Sequence, residues 1–239
     1  MLRLKLSVII PTIDEYEDIK TVVGLIYESC AHEDLAEIML VYNDRSTDNY
    51  IEYLHSLSVL FPEVDIKPVK QKRPGIGAAV YEAFNAAAGD HLTAIGADME
   101  NDPRDIAAML EIAKLHPDAI VTASRRLRKG DFSAYPPVKR FFNIAFQEMI
   151  HILIGTKQSD ITYLFQCTPK KLLSEYDFSD SVDTFILALA LFPETNDIPF
   201  YEIPSKVGKR EHGSSHLKID YYAGFLKQVL KLLLKHGGR

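Results

Sequence analysis

The chain has 239 residues, 47% apolar, 25% charged and 10% aromatic, with a formal charge of -6. That is material for one large domain or two small ones, with ample residues for a core, and 12 glycines and 12 prolines exclude collagen-like, low-complexity and disordered classes. Two cysteines, Cys30 and Cys167, exclude a disulfide framework and a four-thiolate zinc site, so a reducing cytoplasm is expected.

No apolar run approaches the roughly 18 residues of a spanning helix, and the first residues read as a strand rather than a secretory signal. Apolar periodicity predicts strands at 4–11, 38–42, 64–69, 91–95 and 119–123. Between them fall helices carrying Ile19, Val22, Val23 and Ile26, then Tyr53 and Leu57, then 75–88, and 103–115 with Pro103 in its first turn. This alternation predicts an α/β fold with an open, mainly parallel sheet flanked by helices. Beyond residue 124 the spacing predicts helices over 138–154 and 182–191, a strand over 200–204 and an amphipathic helix over 219–235. No linker is evident, so 1–239 is read as a single domain with sections 1–124, 125–217 and 218–239.

Ligands of such sheets bind beyond the C-terminal ends of the strands. Those ends hold the least ordinary polar residues: 11–15, 43–48, 70–77 and 96–102. Charge is uneven as well. Six basic residues, Arg125, Arg126, Arg128, Lys129, Lys139 and Arg140, face one acid, Asp131, and eight Lys or Arg fall between 205 and 239. A basic C-terminal half suits phosphates or anionic lipid, and nucleic acid is not expected from an acidic total without a binding motif. Zinc-hydrolase and Ser or Cys nucleophile motifs are missing.

Six segments in chain order resemble family 2 glycosyltransferases. Residues 7–15, SVIIPTIDE, resemble the opening S-V-I-I-P-T-Y-N-E; 41–48, VYNDRSTD, resemble V-V-D-D-G-S-T-D. Pro74–Ala79 with Asn85 and Ala88–Asp90 resembles the helix and turn before the metal strand, and Gly96–Pro103 resembles D-A-D-x-Q-x-x-P. Ser159–Phe165 is similar to the S-D-x-T-x-x-F of the dolichyl-phosphate mannosyltransferase branch, and Arg210–His216 to its late R-x-x-G-x-S-K turn.

The resemblance implies a GT-A nucleotide-sugar-binding fold, with 1–124 as the donor half and 125–217 as the acceptor half. It implies inverting transfer of a hexose from a GDP- or UDP-linked donor to an acceptor, polyprenyl phosphate in this branch. Pro11, Thr12, Asp14, Glu15, Asn43, Asp44, Gly75, Gly77, Ala97 and Asp98 are then expected to hold the nucleotide. Asp98 and Glu100, alternating on an extended segment, are expected to share a weakly held Mg²⁺ or Mn²⁺, since hard cations take oxygen ligands. Asp98, Asp160 and Arg210 are the expected catalytic set, with Arg210 clamping phosphate. Ser124, Arg125, Thr162, Asp183, Ser215 and His216 line the acceptor side.

One departure and two further readings keep alternatives open. Gly96 replaces the motif's first aspartate, which leaves a metal-independent enzyme or a non-catalytic binder in play. A glycan or protein hydroxyl acceptor would need a base such as Asp183, and Asp14, Asn43 and Asp44 are also ordinary turn formers. Segments 125–142 and 219–235 read as peripheral contacts with the inner face of a membrane; the last helix also suits a homodimer or core cover.

Overall fold

The computed structural model describes residues 4–127 and 135–208, with Leu226, Lys227, Val229 and Leu230. Seven strands, β1 (Leu6–Pro11), β2 (Leu35–Tyr42), β3 (Ile66–Lys70), β4 (His91–Ala94), β5 (Ile120–Ser124), β6 (Gln166–Pro169) and β7 (Phe200–Pro204), form one sheet in the order β3-β2-β1-β4-β6-β5-β7. Neighbours are parallel except β6, which runs antiparallel between β4 and β5. The mainly parallel open sheet expected from the sequence is therefore present, with one reversed strand.

The helices are α1 (Tyr16–Ser29), α2 (Asp48–Leu60), α3 (Ile76–Ala86), α4 (Asp105–Leu115), α5 (Pro137–Ile154), α6 (Lys171–Glu175) and α7 (Phe185–Thr195). Alternation along β1 explains why both sheet faces are covered: Leu6, Val8 and Ile10 pack with α1, α2 and α4, whereas Ile9 packs with α3 and α7. In α1 the apolar stripe Ile19, Val22, Val23 and Ile26 is fully buried. No described helix is long and apolar enough to cross a membrane.

Three local expectations are corrected. Pro103 precedes α4, which starts at Asp105, because Arg104 and Asp102 first close a turn through their side chains. The helix placed at 182–191 divides into a 3-10 turn, Ser179–Thr184, and α7, with a kink at Ser181. β6 and α6 were not expected at all. Of the final amphipathic segment, the four described residues are helical; Val229 is buried against Ile150, Leu187 and Leu191, and Leu230 is exposed.

Candidate active site

Because β3, β2, β1 and β4 are adjacent and parallel, their C-terminal ends deliver 70–77, 43–48, 11–15 and 96–102 to one edge of the sheet. The β1 turn is held by Thr12, whose hydroxyl donates to Glu15 at 3.1 Å and contacts the buried Tyr50 hydroxyl. Asp14 sits at φ 54° and accepts from the Thr47 amide (3.0 Å) and hydroxyl (3.1 Å), which ties this turn to the start of α2. Asn43 accepts from the Arg45 amide at 2.8 Å, and exposed Asp44 pairs with Lys70 at 2.6 Å. Asn43 shapes its own turn, whereas Asp14 and Asp44 tie neighbouring segments together, and all three stay at the strand-end edge. Gly75, at φ 98°, turns the chain into α3, a conformation that a side chain would strain; Gly77 is buried in the helix's first turn.

Glu15 lies at the mouth of β1, and burial, reinforced by the charge of Asp98, raises its pKa. The β1 and β4 turns thus bring carboxylates into mutual range. The segment after β4 is not extended as expected: Met99 adopts φ 57°, and Asp98 Oδ1 accepts from the Glu100 amide at 3.2 Å, folding 97–100 into a turn. Ala97 is buried beneath it. Asp98 Oδ1 lies within 2.9 Å of where a Cβ on Gly96 would stand, so the carboxylate leans into space that the glycine leaves.

No group of three metal-binding side chains occurs among the described residues. Two carboxylates on one turn nevertheless fit a hard divalent cation that takes its other ligands from diphosphate oxygens and water.

Behind Glu100 lies a fully buried ionic network. Arg125 Nε donates to Asp160 Oδ2 at 2.6 Å and Nη2 to Asp160 Oδ1 at 2.8 Å, with a further bond to Thr162 Oγ1 at 2.7 Å. Arg125 is 2% exposed, and its guanidinium stacks 4.6 Å over the Tyr163 ring. Arg125 remains charged because the paired carboxylate outweighs burial. Burial pushes the Tyr163 hydroxyl up to about 12, so it stays a neutral donor. Ser124 is buried and contacts the Ser159 hydroxyl at 2.6 Å, a packing position rather than an open one. The Gly208 amide donates to the Glu100 carbonyl at 2.9 Å; a Cβ there would fall 1.9 Å from the Met99 carbonyl oxygen, so only glycine fits this approach.

Arg210, Ser215 and His216 lie outside the described residues, as does the Asp183 side chain. Sequence reasoning missed Tyr135, which accepts from Arg125 Nη1 at 3.1 Å and donates to the Glu100 carboxylate. It also missed Asn143 and Gln147, which extend the network from α5. A groove of about 610 Å³ at the opposite end of the sheet is lined by Asp90, His91, Lys170 and Lys171 and contains none of the expected site residues.

The model of glycosyl transferase family 2 matches residues 7–180. The chain is 25% identical over 98% of its length to a dolichol-phosphate mannosyltransferase from Pyrococcus furiosus, and 24% identical over 97% to one from Saccharomyces cerevisiae. It is 22% identical over 87% to an undecaprenyl-phosphate 4-deoxy-4-formamido-L-arabinose transferase from Pseudomonas fluorescens. The chain spans 65%, 88% and 59% of those three proteins, respectively. Glucosyl-3-phosphoglycerate synthase from Mycobacterium tuberculosis, crystallised with Mn²⁺, UDP and phosphoglyceric acid, superposes with a TM-score of 0.62 at 18% identity. That match covers 97% of this chain and 78% of the synthase.

Proposed function

The chain belongs to glycosyl transferase family 2, and from that premise we propose that it moves a hexose from a GDP- or UDP-linked donor to a polyprenyl phosphate with inversion. The donor nucleotide lies across Pro11–Glu15, Asn43, Asp44, Gly75, Gly77 and Ala97. Asp98 and Glu100 hold the divalent cation, which supplies positive charge to the departing diphosphate. Arg210 adds to that charge. The acceptor phosphate oxygen forms a bond to the anomeric carbon while the bond to the diphosphate breaks; an already anionic nucleophile needs no strong base. Asp160 fixes Arg125, and Thr162, Ser215, His216 and Asp183 belong to the acceptor side, with buried Ser124 packed behind them.

One observation carries the lipid acceptor. Helix α5 turns Asn143, Gln147 and Ile150 inward, Asn143 donating to Thr162 and Gln147 to Asn143, while Val138, Phe141, Phe142, Met149 and Ile152 are exposed along the other face. An apolar stripe flanked by Arg126 and Arg140 suits the surface of an anionic bilayer, where a lipid-borne phosphate is presented. The names of the polyprenyl-phosphate relatives support the same reading.

The test incubates the protein with GDP-, UDP-, CMP- and dTDP-hexoses, Mn²⁺, and either polyprenyl phosphate in anionic vesicles or free saccharides. The expected product is a polyprenyl-phosphate hexose with inverted anomeric configuration. Sugar found only on saccharide hydroxyls, or nucleotide binding without transfer, overturns the proposal.

A further inference from the structure

Asp98 and Glu100 are like charges on one tight turn, and such pairs repel unless donors hold them. The Glu100 main chain is pinned by its amide on Asp98 Oδ1 (3.2 Å) and by the Gly208 amide (2.9 Å) and Tyr163 hydroxyl (3.4 Å) on its carbonyl. The direction of its carboxylate is a separate matter. Tyr135 reaches it from across the site, 35 residues along the chain, and donates its hydroxyl to Oε1. The same hydroxyl accepts from Arg125 Nη1 at 3.1 Å, and Arg125 is immobilised by two bonds to Asp160 and one to Thr162. A donor polarised by a buried guanidinium is a strengthened donor. The route from Asp160 to Glu100 therefore consists of consecutive hydrogen bonds, with Tyr135 as its last member.

We propose that Tyr135 is a positioning residue that aims the Glu100 carboxylate at the divalent cation and couples cation binding to the Arg125–Asp160 network. The proposal rests on the cation reading of Asp98 and Glu100 given above. Outer-shell donors to ligating carboxylates are worth about 10–100-fold in metal affinity, and this hydroxyl occupies that place. Coupling is reciprocal: whatever reorients Arg125 alters cation affinity by the same factor that cation binding alters the Arg125 side.

Mn²⁺ binding to the full chain is measured by the electron paramagnetic resonance signal of free Mn²⁺, with UDP or GDP present. Tyr135→Phe keeps the ring and removes the hydroxyl. It is expected to weaken Mn²⁺ binding about tenfold, whereas Tyr163→Phe, whose hydroxyl meets main-chain oxygens, Ser205 and the Asn101 side chain but not the Glu100 carboxylate, changes it less than about twofold. In a Glu100→Gln background, Tyr135→Phe has a smaller effect than in the unaltered chain. Equal affinities for the unaltered and Tyr135→Phe proteins overturn the proposal, as does an equal loss in Tyr163→Phe. A Tyr135→Phe chain that does not fold overturns it too, since the hydroxyl is then structural. If the unaltered protein retains no Mn²⁺ with either nucleotide, the proposal falls; the glycosyl-transfer reading is scored separately, by donor consumption with chelator present.

Discussion

Arg125 and Asp160 face each other through two parallel N–H···O bonds of 2.6 and 2.8 Å, with both side chains essentially sealed from solvent. A bidentate pair of this kind gives direction as well as attraction, and it sets a buried wall behind Glu100. Its members reach both α5, through Thr162 and Asn143, and the β4 turn, through Tyr135.

Removing one partner leaves the other charge buried and uncompensated, which costs about 3–5 kcal/mol. Asp160→Asn is therefore expected to lose about that much stability in urea unfolding, with transfer activity falling with it. An Asp160→Asn protein within about 1 kcal/mol of the unaltered chain would contradict this account of the wall.

Gly96 stands where the family pattern usually carries an aspartate. Its backbone is outside the left-handed region, and a Cβ would meet the movable end of Asp98 at 2.9 Å rather than main chain. Gly96→Asp should therefore fold, with Asp98 rotating to leave three carboxylates on the turn proposed above to hold a cation. The expected outcome, read by calorimetry with nucleotide present, is Mn²⁺ affinity tighter by about tenfold. Unchanged or weaker affinity in a folded Gly96→Asp protein would mean that the two-carboxylate site is not limited by the missing ligand.

Most of the elements behind the strand-end edge were legible because they carry one clear period. β1 and β2 are largely apolar runs, broken only by Ser7 and Glu37, as strands covered on both faces tend to be, and α1 repeats its apolar residues at helical spacing. β6 gives no such signal: Gln166, Cys167, Thr168 and Pro169 become a strand because β4 and β5 bind it from both sides. Tyr135 and Asn143 were illegible for a related reason. Their partners, Glu100 and Thr162, lie 35 and 19 residues away, and local pattern says nothing about side chains that meet only in the folded chain. The period of α5 was visible, but which of its faces turns inward depends on the Arg125 network and not on spacing.

That orientation carries its own prediction. Phe141 and Phe142 are 67% and 63% exposed at the N-terminal end of α5, and burying one such ring is worth about 1.5–3 kcal/mol. The double variant Phe141→Ser, Phe142→Ser is expected to lose more than about tenfold in partitioning to anionic vesicles, with thermal stability unaltered because neither ring belongs to the described core clusters. Sedimentation with vesicles that is indifferent to both substitutions would remove α5 as the docking face.

His91 opens β4 at the end of the sheet opposite the edge that carries Glu15, Asn43 and Asp98, 3% exposed. Burial pushes its pKa down from 6.5 to about 4, against the pull of Asp90, the Pro117 carbonyl and Asp118, and with the help of Lys171. Lys171 is itself paired with Asp118, so the charges around the ring largely offset one another. The unfolded chain takes up a proton near pH 6.5 and the folded chain does not until about 4, so the unfolded state binds more protons throughout that window. Stability conferred by the neutral ring is complete above pH 6.5 and is lost as the pH falls toward 4, by about 3 kcal/mol in all. Urea unfolding at pH 7 and pH 4.5 should then show the unaltered chain losing more stability on acidification than His91→Gln, which has no proton to gain. Identical pH dependence in the two proteins would mean that the ring is already charged in the fold, and that its burial against Pro117 is compensated by Asp90 and Asp118.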